Sequence, residues 1–255
     1  MNVALKTDAM TNVQSSSLVF PALLLLAATP LSSTLSFHTG LAWLSPLVGG
    51  TSAWLFLWHA SSRQASRSAI ILVLLAWAAT LSFVTVLLTV RAPESAAMAI
   101  PNAAEYWEEM KPYLQEGRGT EAAPRLFIPE HVKHLALFVV LAVISGGWLA
   151  LSLGAMMTGY MSYYVAQAVM LADHPWLAGI LAWHPWAVVR VAAFIMIGVA
   201  LAALLLERSG LRAWLKRYRR WLLLGGILWM TDIGMKIVLA PYWWRVLRRA
   251  AGVDA

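Results

Sequence analysis

The chemically capable residues of this chain are few, and they stand in apolar surroundings. Asp232 and Lys236 are four positions apart within a largely apolar stretch, 221–240. On a helix that spacing puts both on one face, within ion-pair reach. In a medium that penalises charge, such a pair either neutralises itself and fixes packing or works as a relay, protonation of Asp232 releasing Lys236. Arg190 lies one turn into another apolar stretch, 186–206, shallow enough to snorkel outward or to pair with Asp173. Asp232, Lys236 and Arg190 together form the candidate polar site.

Five histidines make a second set: His38, His131, His134, His174 and His184. Imidazoles on one side of a bundle could ligate a haem, a chlorin or a metal ion. Their spacing does not specify one. No His-x-x-x-His occurs, and His131 and His134 flank Lys133, unlike a haem pair shared between facing helices. No metal site is assigned and the cofactor stays unknown. The chain also lacks a Gly-x-x-x-x-Gly-Lys loop, a His-Glu-x-x-His pair and a Gly-x-Ser-x-Gly elbow. It has no cysteine, which removes disulfides, thiolate metal sites and cysteine nucleophiles together. No catalytic residue is assigned.

The elements that hold these residues are set by composition. Of the 255 residues 60% are hydrophobic and 12% charged, about half the charge of an ordinary soluble domain. Such a surface belongs in a bilayer, and the expected class is an all-α polytopic membrane protein, one transmembrane domain over 1–255. Tryptophans at the ends of apolar runs (Trp43, Trp58, Trp183, Trp186, Trp221, Trp243, Trp244) suit the headgroup region. The net charge of +7 is concentrated beside apolar runs, so it points to orientation and anionic lipid rather than nucleic acid.

A crossing takes about 20 apolar residues. The clearest runs are 68–90, 186–206 and 221–240. The run 134–170 is too long for one crossing and divides near Ser152, Leu153 and Gly154; the run 18–59 divides around 36–40. The segment 208–220 holds six basic residues (Arg208, Arg212, Lys216, Arg217, Arg219, Arg220) and no acid, and reads as a cytoplasmic loop. The stretch 92–131 has seven acids against three bases and reads as an extracytoplasmic loop. The expectation is about seven transmembrane helices, N-terminus inside and C-terminus outside. Arg245, Arg248 and Arg249 then lie outside, against the charge rule. The apolar run 18–28 also resembles a signal-peptide core, and cleavage within residues 1–36 would leave six helices.

Smaller signals fill in the connections. Residues 101–116 read as a short amphipathic surface helix capped by Asn102. HisProTrp occurs at 174–176 and 184–186; each proline opens a helix, with Trp176 and Trp186 as interface anchors. Ser145, Gly146, Gly147, Ser152, Gly154 and Gly159 mark close helix packing.

An Asp four residues before a Lys in the last helix resembles the retinal-binding helix of microbial rhodopsins. The resemblance covers that helix alone, and implies a Schiff base at Lys236 with Asp232 as counterion. The third helix has no acid for a second counterion, and the sixth lacks the family's aromatic and proline pattern. Taken together, the residues favour a non-catalytic membrane subunit or scaffold packed against a membrane-protein partner, in a bacterial-type inner membrane. The first alternative is a permease, or membrane component of a transporter, with its polar site at Asp232, Lys236 and Arg190. The second is a protein carrying haem, chlorin or retinal.

Overall fold

Apolar runs of this length have one way to satisfy their backbone groups away from water, which is to coil into helices. The computed structural model describes residues 2–207, 210–250 and 252, with the side chains from Leu18 onward. Among the described residues every regular element is a helix: α1 (Asn2–Thr39), α2 (Leu44–Ser62), α3 (Arg67–Arg91), α4 (Pro93–Ala99), α5 (Ala103–Glu116), α6 (Pro124–Ser145), α7 (Trp148–Leu171), α8 (Pro175–Ala182), α9 (Pro185–Leu206) and α10 (Leu211–Ala250).

Five of them are long and apolar enough to cross a membrane: α1 over Leu18–Thr39, α3, α6, α9 and α10. The other two long helices, α2 and α7, carry no Asp, Glu, Lys or Arg but are rich in glycine and hydroxyl-bearing residues. α7 packs against α2, α3, α5, α6, α8 and α9, so it meets other helices on most sides, and it buries Thr158, Ser162, Tyr163 and Tyr164 there. The basic stretch read as a loop is mostly helix, because α10 begins at Leu211 and runs for 40 residues. That is about 60 Å, roughly twice a hydrocarbon core, so its first turns, with Arg212, Lys216, Arg217, Arg219 and Arg220 exposed, project beyond the apolar length. Arg208 lies outside the described residues.

Tight turns join neighbouring helices. The chain breaks after α1 at Gly40 (φ +69°), where a left-handed residue is needed. The break in the run 134–170 is not at Ser152–Gly154 but at Gly146 and Gly147, with φ of +59° and +93°. Ser152 instead sits inside α7, where it packs on Gly50 of α2. A Cβ built on Gly50 would lie 2.6 Å from the Ser152 Cα, so the two backbones cross at close range. A Cβ on Gly225 of α10 would lie 2.6 Å from Ile197 Cγ1 of α9, and α9 and α10 pack closely along their lengths.

The acidic connection carries the expected amphipathic helix, α5, with its apolar side packed on the bundle. Asn102 is the residue before α5, but in a left-handed conformation (φ +53°) and without a side-chain capping bond. α5 buries Ala103, Met110, Tyr113 and Leu114 and packs on α7 and α10. The Tyr113 hydroxyl donates to the Ala240 carbonyl at 3.0 Å, so α5 caps one end of the bundle. At the opposite end Glu207 gathers α3, α9 and α10. It accepts from Arg67 at 2.5 Å, from Arg217 at 2.8 Å and from the Tyr218 hydroxyl.

Gly50→Ala should destabilise the bundle by about 1–3 kcal/mol, because its methyl group meets backbone rather than a flexible side chain. Gly226→Ala, where an added Cβ meets nothing within 4 Å, should be neutral or stabilising by up to about 1 kcal/mol. Thermal unfolding of both variants in one detergent checks the pair.

Candidate functional site

The charged residues of the apolar helices converge near the α5 end of the bundle, with different partners from those their spacing suggests. Asp232 and Lys236 do share a face of α10, but they do not pair with each other. Arg190, from α9, donates to both Asp232 oxygens, Nε to Oδ2 at 2.9 Å and Nη2 to Oδ1 at 3.1 Å. A planar guanidinium gripping a carboxylate in this two-point way is stronger than a single-point ammonium contact. Lys236, one turn further, donates at 2.7 Å to Glu121, which precedes α6. Arg190 therefore neither snorkels outward nor meets Asp173. The rhodopsin-like arrangement fails at the same point: the carboxylate on Lys236 is Glu121, not Asp232.

Glu121 collects three elements. Its Oε1 accepts from Trp186 Nε1 at 2.8 Å and lies 3.6 Å from His184 Nδ1, while Oε2 takes Lys236. Lys236 also stands over the Phe127 ring at 4.3 Å, a cation–π contact strengthened by exclusion of water. Burial pushes the Glu121 carboxyl up, but Lys236, His184 and Arg190 together outweigh it and hold the group well below the ordinary carboxylate range. Burial pushes the His184 imidazole down, against the pull of Glu121, so it is held neutral. His184 in turn contacts the Tyr164 hydroxyl through Nε2 at 3.4 Å. Pro185 opens α9 as its position predicts, but Trp186 is wholly buried as a donor to Glu121, whereas Trp176 is exposed.

Next to these pairs is a cavity of about 670 Å³. Its α5 end is lined by Asn102, Glu105, Tyr106, Glu109, Thr120, Glu121, Glu130, Tyr160, His131, His134, Arg190 and Lys236. From there it runs between Phe138, Met157, Phe194 and Ile195 to Val199, Leu57 and Gly147, at the far end of α7. Arg190 commits two nitrogens to Asp232, yet its side chain remains 21% exposed and lines this space. His131 is 6% exposed; its Nε2 has no hydrogen-bond partner among the described residues and lies 3.7 Å from Asp232 Oδ2.

The structure thus gathers His131, His134 and His184 around the charged residues and leaves His38 and His174 exposed. Among the described residues no group of three His, Asp or Glu is arranged to hold a metal ion. Glu121 and Glu207 are the two residues the sequence reading passed over. Glu207 stands directly before the basic run, a placement that marks it as the carboxylate to neutralise that run. Glu121 sits in a short polar stretch, and nothing local distinguishes it.

The pairing has a measurable signature. Removing one partner alone, as in Glu121→Gln or Asp232→Asn, should cost about 3–5 kcal/mol of stability, since it strands a buried charge. Double-mutant cycles should give coupling energies of about 1–3 kcal/mol for Arg190 with Asp232 and for Lys236 with Glu121. The Asp232 and Lys236 cycle should be the smallest of the three; a larger value there would contradict the assignment. Compared with models of known protein families, with curated proteins and with solved structures, the chain matches none.

Proposed function

We infer that this chain is an integral membrane protein that takes a small ligand into its central cavity, as a permease or the membrane component of a transporter. In this reading it crosses a bacterial-type inner membrane seven times: α1, α2, α3, α6, α7, α9 and α10. The N-terminus is cytoplasmic, the α5 end faces outward and the exposed basic turns of α10 face inward. The positive-inside rule favours that orientation, since Arg212, Lys216, Arg217, Arg219 and Arg220 project at one end and the acidic α4–α5 connection lies at the other.

The observation that carries the reading is the cavity. A subunit that only packs against partners needs no hollow core, and one of about 670 Å³ is within the range that ordinary small-molecule sites occupy. It begins among exposed polar residues of α5 and α6 and extends to Gly147, where α7 starts at the opposite end. There the path narrows: a Cβ on Gly147 would lie 2.9 Å from the Ala202 Cβ. Beyond it the Glu207 clasp ties α3, α9 and α10. An opening at one end with a closed, ion-paired opposite end is the geometry of an outward-facing carrier. Transport would require that clasp to part.

Gly154 provides the test. It lines the cavity, and a Cβ built there meets nothing within 4 Å. A side chain at this position enters the cavity, and Gly154→Phe is the substitution that would fill it. Native mass spectrometry of the particle from mild detergent should show the wild-type chain carrying a small molecule that Gly154→Phe does not retain. A particle with no bound molecule but with stoichiometric protein partners would favour the scaffold reading instead.

A further inference from the structure

We propose that the ligand of this cavity is a lipophilic organic cation, an apolar body carrying an ammonium or similar cationic head. This rests on the cavity being a ligand site, and adds the chemical class that the site would select.

Charge decides the class. Four carboxylates line the cavity, Glu105, Glu109, Glu121 and Glu130, against two permanent cations, Arg190 and Lys236. Both cations are already neutralised, Arg190 by Asp232 behind it and Lys236 by Glu121. An anion entering would find no uncompensated positive charge. The carboxylates at the mouth are in the opposite condition. Glu105 and Glu109 stand one turn apart on the same face of α5 and have no ion-pair partner among the described residues. Glu130 has only Lys133 at 3.2 Å, with both side chains largely exposed, a contact that solvent screens.

The walls agree with a cation that has an apolar body. Tyr106 and Tyr160, their rings 5.6 Å apart, line the cavity beside these carboxylates, and aromatic faces attract cations. Further in, Phe138 and Phe194 stack at 4.8 Å and line an apolar run. The His131 imidazole lines the same space, with Nε2 facing Asp232 Oδ2 at 3.7 Å rather than the cavity.

The test uses two probes of the same shape and opposite charge, tetraphenylphosphonium and tetraphenylborate, bound to the purified full chain in neutral detergent. The phosphonium should bind one per chain, at least tenfold tighter than the borate, and more weakly as salt is raised, because the mouth carboxylates are exposed. The double substitution Glu105→Gln and Glu109→Gln should weaken phosphonium binding about tenfold or more and leave the borate unaffected or improved. Glu130→Gln should act in the same direction. Gly154→Phe should abolish binding of either probe. Two outcomes overturn the proposal while leaving the cavity reading intact: preference for the borate, or phosphonium binding that ignores salt and the glutamate substitutions yet is lost in Gly154→Phe. If neither probe binds the wild-type chain, or Gly154→Phe changes nothing, the ligand site itself is refuted along with its charge preference.

Discussion

The constraint on which this molecule depends is the cost of holding charge inside an apolar bundle. Asp232 and Lys236 are 0% and 1% exposed, and an isolated ion so placed would be prohibitively unstable or would give up its charge. The fold answers by bringing each a partner from another element. Arg190 of α9 grips Asp232, and Glu121, from the connection before α6, meets Lys236. Two charges one turn apart on α10 thus become two ties, one to a neighbouring helix and one to the segment that covers the bundle end. A self-contained pair on α10 would hold nothing else in place.

Other features follow from those ties. Glu121 can reach Lys236 only if the chain between α5 and α6 turns inward, and α5 is held there by Tyr113 donating to the Ala240 carbonyl. Trp186 and His184 complete the surroundings of Glu121, which fixes the start of α9. At the far end Glu207 does the equivalent work for α3 and α10. Between the two polar ends the helices meet through small residues, Gly50 on Ser152 and Gly225 on Ile197, and a cavity remains along α6, α7 and α9.

Much of this architecture was legible in the amino-acid order, for physical reasons. Apolar length dictates α3, α9 and the apolar part of α10, and proline marks the starts of α8 and α9. α2 and α7 carry no Asp, Glu, Lys or Arg, but their glycines and hydroxyl groups mark helix contacts rather than lipid contacts. The break at Gly146 was hidden because two glycines in an apolar run read equally well as close packing. At the site, charge in an apolar setting identified Asp232, Lys236 and Arg190, but spacing along one helix suggested the wrong pairing. The partner of Lys236 is 115 residues away, and no local pattern reports a contact of that range. Trp186 was misplaced for a related reason: an indole at a helix start suits the interface and the core equally, and only the position of Glu121 decides between them.

The central claim, a cavity open to the outer face beside a paired charge cluster, can be tested directly because the chain contains no cysteine. A single cysteine at Gly154 or at Thr158, both lining the cavity, would report its accessibility without a background signal. The measurement is labelling by a small, membrane-impermeant thiol reagent, applied to intact spheroplasts and separately to inverted vesicles. The account predicts rapid labelling at both positions from the outer side and protection from the cytoplasmic side, where Gly147 and the Glu207 clasp close the path. Protection from both sides, or labelling only from the cytoplasmic side, would contradict it.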